Sequence, residues 1–227
     1  MRASVIIPAK DENRNLKILL KKMKRLYNNK YEIIVVDDVK SLNRKITYLD
    51  KNSSVKVIRN INWKGKGYAL KLGFQEAAND IAVVMDSDLS HMPEHLERLL
   101  EPLKNKKVGV VIGSRALGGS DEYNPIRTIG NAFLTGLFNL FFNTNLFDSI
   151  NGYKAIRKSI LADLKNNDME IEFEILAKCL KTGYRIVEVP SHEMARAYGK
   201  AKLKTVEHGF KFFKQILIEG IKYRLRI

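Results

Sequence analysis

The chain has 227 residues, of which 45% are hydrophobic, 9% aromatic and 29% charged. This composition predicts a globular protein with a sizeable core and excludes the disordered and fibrous classes. The chain holds 40 Lys and Arg residues against 25 Asp and Glu, a formal net charge of +15. Such a surplus indicates an anionic partner, and the charge alone leaves open nucleic acid, an acidic membrane surface or a phosphorylated substrate.

Cysteine content and hydropathy bear on the cellular compartment. The chain has one cysteine, Cys179, which excludes an internal disulfide and a multi-cysteine zinc site, and its helical surroundings predict a buried thiol. The chain opens with MRASVIIPAK and enters a strand at once, so we expect no signal peptide and a cytoplasmic location. Residues 128–147 carry no charge, but their asparagines, threonines and glycines predict a helix that is buried or lies at an interface.

The first half of the chain alternates apolar runs with amphipathic segments. The apolar runs predict strands, and the segments between them predict helices, because their apolar residues recur at three- and four-residue spacing. The predicted strands are 4–8, 32–37, 55–58, 81–85 and 108–112; the predicted helices follow residue 12 and cover 67–78 and 93–103.

This alternation predicts an α/β fold with a mostly parallel central sheet flanked by helices. In such sheets ligands bind beyond the carboxyl ends of the strands. We therefore expect the functional residues in the polar segments that follow the strands, at 8–12, 37–38, 86–88 and 113–115.

The second half has a different character. It continues with an acidic helix at 168–180, a strand at 184–189 and a turn-rich stretch at 196–203. The last segment is predicted to be an amphipathic basic helix, which either docks on the domain or lies at an anionic membrane surface. We predict a catalytic domain at 1–203 with this helix, 204–227, as an appendage.

Two carboxylates directly follow the fourth predicted strand. Asp86 and Asp88 flank Ser87, and residues two apart in an extended segment point the same way, so both carboxylates can face one cavity. Carboxylates so close repel each other unless a cation lies between them, and Mg²⁺ or Mn²⁺ suits such a site. The structural alternative is a turn at the end of the strand that Asp caps.

Three further groups have both a functional and a structural interpretation. Asp37 and Asp38 either accept hydrogen bonds from a nucleotide or belong to a solvated loop. The segment 63–67 either presents N–H groups and lysines to phosphate or is a flexible basic turn. His91 and His95 have the spacing of a metal pair, but Pro93 between them favours histidines at a helix start or on the surface.

Arginines and spare carboxylates complete the candidates. Arg115, Arg127 and Arg196 follow strand or turn signals, and guanidinium groups suit phosphate if the fold brings them together. Each is otherwise an ordinary surface charge. The carboxylates available as a general base are Asp148, Glu172 and Glu174, for which caps and salt bridges are the structural alternative.

Taken in order, these elements resemble the family 2 glycosyltransferases of GT-A fold, and the polyprenyl- or dolichyl-phosphate mannose synthase branch in particular. The resemblance runs from about residue 3 to 203. The motifs that carry it are Pro8-Ala9-Lys10-Asp11-Glu12, Val36-Asp37-Asp38, Lys66-Gly67, Met85 to His91 with Pro93-Glu94, Gly113-Ser114-Arg115, Asp148 with Asn151-Gly152-Tyr153, Glu174, Glu188-Val189-Pro190, and Arg196 with Gly199 and Lys202-Leu203.

The resemblance implies roles for individual residues. The loop 8–12 and Asp38 would hold the nucleotide, and Asp86 and Asp88 would bind the donor diphosphate through a divalent cation. The three arginines would address the acceptor phosphate, with Asp148 or Glu174 as a base if the acceptor is a hydroxyl. The implied substrate-binding residues are Pro8, Ala9, Glu12, Asp37, Asp38, Lys66, Gly67, Ser87, Ser90 and Lys202.

The resemblance also implies an activity. We expect a metal-dependent inverting transferase that moves mannose from GDP-mannose to a polyprenyl or dolichyl phosphate, peripheral on the cytoplasmic membrane face. An integral-membrane partner is left open. One alternative is a transferase that uses UDP-glucose or UDP-GlcNAc, with a lipid-phosphate or hydroxyl acceptor. A basic nucleic-acid-binding module is another, which the sequence disfavours because no RNA- or DNA-binding motif is visible and the paired aspartates repel phosphate.

Overall fold

The computed structural model describes residues 1–39, 46–49, 54–62, 64–122, 124–198 and 205–225. Several residues singled out from the sequence lie outside these ranges. They are Lys40, Ser41, Trp63, Gly199, Lys202, Leu203 and Arg226.

Seven strands and seven helices make up the described chain. The strands are β1 Ser4–Lys10, β2 Glu32–Asp38, β3 Lys56–Asn60, β4 Ile81–Val84, β5 Val108–Ser114, β6 Lys154–Arg157 and β7 Arg185–Pro190. The helices are α1 Asn13–Tyr27, α2 Lys66–Glu76, α3 Leu96–Leu100, α4 Arg115–Gly118, α5 Pro125–Phe142, α6 Ile171–Lys181 and α7 Thr205–Leu225.

The strands form one sheet in the order β3-β2-β1-β4-β6-β5-β7. The pairs β3-β2, β2-β1, β1-β4 and β5-β7 are parallel, whereas β6 runs antiparallel to both β4 and β5. The prediction of a mostly parallel α/β sheet is therefore confirmed. β6 was not predicted, because its four residues begin and end with a cation and show no alternation.

Two hydrophobic cores cover the two faces of this sheet. Side chains of β1 alternate between them, with Val5 and Ile7 on one face and Ile6 on the other. α1 and α3 pack on the first face, while α2, α5, α6 and α7 cover the second. α7 contributes Phe212 and Ile216 to the second core, so this helix docks on the domain. The predicted domain boundary at 203/204 falls beside undescribed residues and stays a prediction.

Helix boundaries differ from the predicted ones for local reasons. The predicted helix 93–103 is broken into α3 and two flanking 3₁₀ turns, and Pro102, which has no N–H to donate, lies in the second turn. The helix predicted within the uncharged segment 128–147 begins at Pro125, so it includes Arg127, and it ends at Phe142, after which Asn143 takes a left-handed conformation. No helix in the described ranges has the length and hydropathy needed to span a bilayer.

Cys179 lies on α6 inside the second core. Its side chain is fully buried, as the sequence predicted. Burial raises the pKa of its thiol to about 12, so the thiolate, which is the reactive form, is not populated at neutral pH.

Candidate active site

A cavity of about 520 Å³ lies at the carboxyl edge of the sheet. The end of β1 with the residue Glu12 after it and the turn after β4 line it, as do residues from the starts of α2, α4 and α6. Residues of α5 and α7 form the opposite side, which we call the helical wall; they are Arg127, Gly130, Asn131, Leu134, His208, Gly209 and Phe212. The cavity thus lies where the parallel half of the sheet predicts a ligand site.

The turn after β4 presents both aspartates of the pair to this cavity. Asp88 Oδ1 accepts hydrogen bonds from the Ser90 backbone N–H at 3.0 Å and the Ser90 hydroxyl at 2.6 Å. Leu89 between them has a φ of +69°, a conformation that L-residues rarely adopt. The Asp86 backbone N–H donates to His91 Nδ1 at 3.0 Å. This turn fixes the directions of the two carboxylates.

Each aspartate of the pair has a cationic partner. Lys66 Nζ lies 2.8 Å from Asp86 Oδ1. Arg196 bridges two carboxylates, with one guanidinium nitrogen 2.6 Å from Asp88 Oδ2 and another 3.1 Å from Glu12 Oε1. Burial alone would raise the pKa of Asp86, but Lys66, then His91, and Arg196 as well outweigh burial and hold this pKa well below its ordinary value. Asp86 is therefore an anion at neutral pH.

Beneath Asp86 the charges continue into the protein. Glu172 lies between two lysines, with Oε1 3.5 Å from Lys66 Nζ and Oε2 2.7 Å from Lys154 Nζ. Lys154 has no exposed surface, and Glu172 is 3% exposed. We call these four residues, Lys154, Glu172, Lys66 and Asp86, the charged floor. Buried ions persist only when they are paired, so the alternation of sign fixes Lys66 beneath the cavity.

Gly152 covers the junction of the charged floor. A Cβ atom at this position would lie 2.8 Å from Lys66 Nζ and 3.5 Å from the nearest oxygens of Asp86 and Glu172. The absence of a side chain here lets the turn at 149–153 close over the ion pairs.

The three predicted arginines all line the cavity, and each contacts a carboxylate. Arg115 forms a two-point pair with Asp148, with Nε 2.7 Å from Oδ2 and Nη2 2.8 Å from Oδ1, and a weaker one with Glu193 at 3.4 Å. Arg127 lies 3.6 Å from Glu122. The fold therefore collects these guanidinium groups around one space.

Of the three carboxylates named as possible general bases, Glu174 and Asp148 are engaged elsewhere, and Glu172 lies between Lys66 and Lys154. Glu174 does not line the cavity; its carboxylate accepts hydrogen bonds from the backbone N–H groups of Lys165 and Asn166, so it caps that loop. Both carboxylate oxygens of Asp148 accept hydrogen bonds from Arg115. Burial would raise the pKa of Asp148, but the hydrogen bonds and charge of Arg115 lower it, which makes a poor proton acceptor.

Other predicted substrate-binding residues divide between the cavity and the scaffold. Pro8, Glu12, Lys66, Ser87 and Ser90 line the cavity. Asp38 does not line the cavity but lies 3.3 Å from Lys10, which does. Three others do not: Ala9 is buried in the sheet, Gly67 packs against the backbone of residues 166–168, and Asp37 accepts a hydrogen bond from Tyr48.

The histidines form no metal pair. His91 is 4% exposed, and its ring stacks on Tyr153 with centroids 4.8 Å apart, so the expectation of a surface or helix-start position is wrong for it. His95 lies in the 3₁₀ turn that precedes α3, with Nδ1 3.1 Å from the Ser191 hydroxyl. His91 instead supports the turn that carries Asp86.

Sequence reasoning missed Lys154 and Glu193. Lys154 directly precedes the apolar residues Ala155 and Ile156. This position was the available signal, since a cation in a buried strand needs a buried partner. Glu193 left no signal, because its contact with Arg115 depends on where the chain after β7 passes.

The carboxylate pair fits Mg²⁺ or Mn²⁺. Both side chains offer hard oxygen ligands to one cavity, which these cations prefer. Across the described ranges no group of three or more His, Cys, Asp or Glu residues could hold a metal ion. A cation here would need further ligands from a substrate, as is usual for Mg²⁺ bound with phosphates.

Comparison with known proteins agrees with this geometry. Residues 4–165 match the family described as "Glycosyl transferase family 2". The chain belongs to glycosyl transferase family 2. The family resemblance drawn from the sequence motifs is thereby confirmed.

Two characterised relatives share much of the chain. It is 38% identical over 215 residues to dolichol-phosphate mannosyltransferase of Pyrococcus furiosus. That alignment covers 90% of this chain and 60% of the relative. It is 28% identical over 242 residues to UDP-N-acetylglucosamine–dolichyl-phosphate N-acetylglucosaminyltransferase of Methanococcus voltae, with 94% of each covered. This chain thus spans less than two thirds of the length of the first relative.

A solved structure establishes the fold class. Glucosyl-3-phosphoglycerate synthase from Mycobacterium tuberculosis, in complex with Mn²⁺, UDP-glucose and phosphoglyceric acid, superposes with a TM-score of 0.73 at 18% identity. The match covers 96% of this chain and 79% of that one. The fold is GT-A, as the resemblance implied.

Proposed function

We propose that this protein transfers mannose from GDP-mannose to a polyprenyl or dolichyl phosphate at a membrane surface. The observation that carries the proposal is one cavity that holds both an aspartate pair and three arginines. The aspartate pair suits the diphosphate of a sugar donor, and the arginines suit a second, anionic substrate.

The acceptor is assigned from its chemistry. A hydroxyl needs a base to become a nucleophile, whereas a phosphomonoester has a second pKa near about 6 and is already largely a dianion at neutral pH. Asp148 is bound to Arg115, Glu174 caps a loop and Glu172 is held by Lys66 and Lys154, so none of the three is placed to serve as that base. Arg115, Arg127 and Arg196 line the cavity and can orient a phosphate oxygen toward the sugar.

The residues of the charged floor serve the leaving group. Asp86 and Asp88 would hold the divalent cation, which when bound would offset negative charge on the departing nucleotide diphosphate. Lys66 is held at Asp86 by Glu172 from below, so a second positive charge lies at the edge of the same space. Direct displacement by the acceptor oxygen inverts the anomeric carbon, from an α-linked donor to a β-linked product.

The relatives agree on the acceptor and differ in the donor. The names of both relatives contain a dolichol or dolichyl phosphate, but one is a mannosyltransferase and the name of the other contains UDP-N-acetylglucosamine. The higher identity favours mannose as the sugar. GDP-mannose as its donor is our proposal from the motif resemblance. The UDP-sugar alternative is kept because the Methanococcus voltae relative covers nearly the whole chain.

Peripheral membrane contact is part of the proposal. α5 and α7 pack together and leave large apolar side chains in solvent. Ile129 and Phe210 are each 71% exposed, and Phe133 is 61% exposed. An apolar surface of this kind beside basic residues suits insertion into the interface of an anionic bilayer, where a lipid acceptor resides. Among the basic residues of α7, Lys211 pairs with Asp168 and Lys222 with Glu219.

The test is a transfer assay with labelled GDP-mannose, Mn²⁺ and a short polyprenyl phosphate. We expect a lipid-linked β-mannoside. A parallel thermal-shift series compares GDP with UDP in the presence of Mn²⁺, since a ligand that binds the folded protein raises its melting temperature. Stabilisation by UDP alone, with transfer from a UDP-sugar, would replace the proposed donor. No transfer from either donor class would overturn the function.

A further inference from the structure

Arg196 contacts the one oxygen of Asp88 that Ser90 does not bond. Its guanidinium lies 2.6 Å from Asp88 Oδ2, while Asp88 Oδ1 is already bonded twice to Ser90. Asp88 is 9% exposed, so little water screens charges at this carboxylate. Two cations on one buried carboxylate oxygen would repel each other strongly. A divalent cation and Arg196 therefore compete for Asp88.

Of the two cations at the aspartate pair, Arg196 is the less enclosed, with 18% of its side chain exposed against 11% for Lys66. Lys66 begins α2 and is enclosed by Asp86, Glu172 and the turn that contains Gly152. Arg196 follows β7 on a connecting segment that belongs to no helix or strand. Its second contact, with Glu12 Oε1 at 3.1 Å, offers a place to which the guanidinium can retreat.

The backbone around Arg196 is held on both sides. The Arg196 N–H donates to Glu122 Oε1 at 3.1 Å, and the Met194 N–H donates to Ser90 O at 2.9 Å. Tyr198 is fixed by Arg14, whose guanidinium carbon lies 3.7 Å from the ring centroid. A change of partner at Arg196 is therefore a rotation of its side chain, with the segment kept in place.

We propose that Arg196 is an exchangeable cation of the aspartate pair: it neutralises Asp88 in the metal-free protein and is displaced when a divalent cation binds. The displaced guanidinium then has donors free for an anion in the cavity. Provided that the proposed function holds, this makes the acceptor-phosphate site dependent on donor loading. Metal and sugar nucleotide bind first, and Arg196 then becomes available to the lipid phosphate.

Removal of the competing cation tests the exchange. Mn²⁺ binding is measured by electron paramagnetic resonance on the full chain, without nucleotide or lipid. Because a charge-assisted pair is lost from the metal-free state, Arg196→Met should lower the Kd for Mn²⁺ by about tenfold or more. Arg196→Lys keeps a cation and should stay within about threefold of the wild type. Arg127→Met removes the same charge from the same cavity without touching Asp88, and should also stay within that range.

A second measurement follows Arg196 itself. In spectra of protein labelled with ¹⁵N-arginine, the guanidinium of Arg196 should give restricted Nη–H signals without metal, and these should be lost when diamagnetic Mg²⁺ is added. Arg196→Lys assigns them. An unchanged or raised Kd for Mn²⁺ in Arg196→Met would overturn the exchange. An equal decrease in this Kd in Arg127→Met would also overturn it, because the effect would then come from the lost positive charge in general. Neither result depends on transfer activity, so each is distinct from a failure of the proposed function.

Discussion

The charged floor and the helical wall enclose the same cavity by opposite means. The floor is four ionic side chains in alternating sign, of which all but Asp86 are buried, fixed by pairs of 2.7 to 3.5 Å. The wall is two helices that pack through aromatic residues, such as Phe142 against Tyr223 at 4.9 Å, and leave other apolar residues in solvent. Ionic pairing holds groups in set directions, whereas apolar packing tolerates change in shape.

This difference separates chemistry from recognition within one site. The floor must keep Asp86 and Lys66 in place, because metal and diphosphate binding depend on the directions of their charges. The wall has to admit a second substrate and, in the proposed function, contact lipid. We therefore expect substitutions in the floor to cost stability or turnover, and substitutions on the outer face of the wall to change only association.

Lys154→Met should have the largest effect on stability. It leaves Glu172 buried with one cation fewer, which costs about 3–5 kcal/mol in free energy of unfolding, measured by urea denaturation. Lys104→Met removes the exposed partner of Glu101 and should cost less than about 1 kcal/mol. The double variant Lys154→Met/Glu172→Leu should recover part of the loss. A single-variant cost equal to that of Lys104→Met would contradict the structural role of the floor.

Asp88→Asn should be folded and nearly inactive. Loss of one metal-binding carboxylate should lower the rate of sugar transfer by about 100-fold or more, since the cation offsets leaving-group charge. The matched control is Asp80→Asn, which makes the same change at the exposed amino end of β4. Transfer by Asp88→Asn at the wild-type rate would remove Asp88 from the mechanism.

Gly220→Ala tests the packing of the helical wall. A Cβ at this position of α7 would lie 2.5 Å from the Phe141 ring, so the helices must separate, at a cost of about 1–3 kcal/mol. At Gly136 on α5 no described atom lies within 4 Å of the added Cβ. Gly136→Ala should therefore stabilise by up to about 1 kcal/mol, the helix-propensity difference. Equal melting temperatures for both variants would contradict the close contact.

Ile129→Ser should have the smallest effect on the fold. Its exposed side chain contributes little to the stability of the fold. Its loss should weaken binding to anionic vesicles about five- to tenfold, because full burial of such a side chain is worth about 1.5–3 kcal/mol and the membrane interface provides part of that. Ile18→Ser is the control, because α1 packs on the opposite face of the sheet. Equal vesicle binding by both variants in a sedimentation assay would exclude α5 from the membrane contact.

The sequence predicted the parts of this molecule that depend on local pattern. Apolar runs predicted the positions of β1, β2, β3, β4, β5 and β7, and the rule that strand ends meet predicted the edge of the sheet where Asp86 and Arg115 line one cavity. The four-residue β6 escaped because its charged ends hide it. Its place between β4 and β5 is set by tertiary packing, which local sequence pattern does not encode.

Partners were less predictable than positions. The sequence identified Arg196 and Asp88 as candidates for different substrates, but only the fold shows that they contact each other. The same holds for Glu174, which had the right residue type and lies outside the cavity because its carboxylate caps the loop before α6. Ion pairs between distant segments leave no periodic trace in a sequence.

A crystal structure of the protein soaked with Mn²⁺ and GDP would decide whether the aspartate pair binds a donor diphosphate. The account predicts one metal ion that is bonded to carboxylate oxygen of the pair and to diphosphate oxygens, with the nucleotide extending toward Asp38. A nucleotide seated without metal, or Asp86 and Asp88 turned away from its diphosphate, would contradict it.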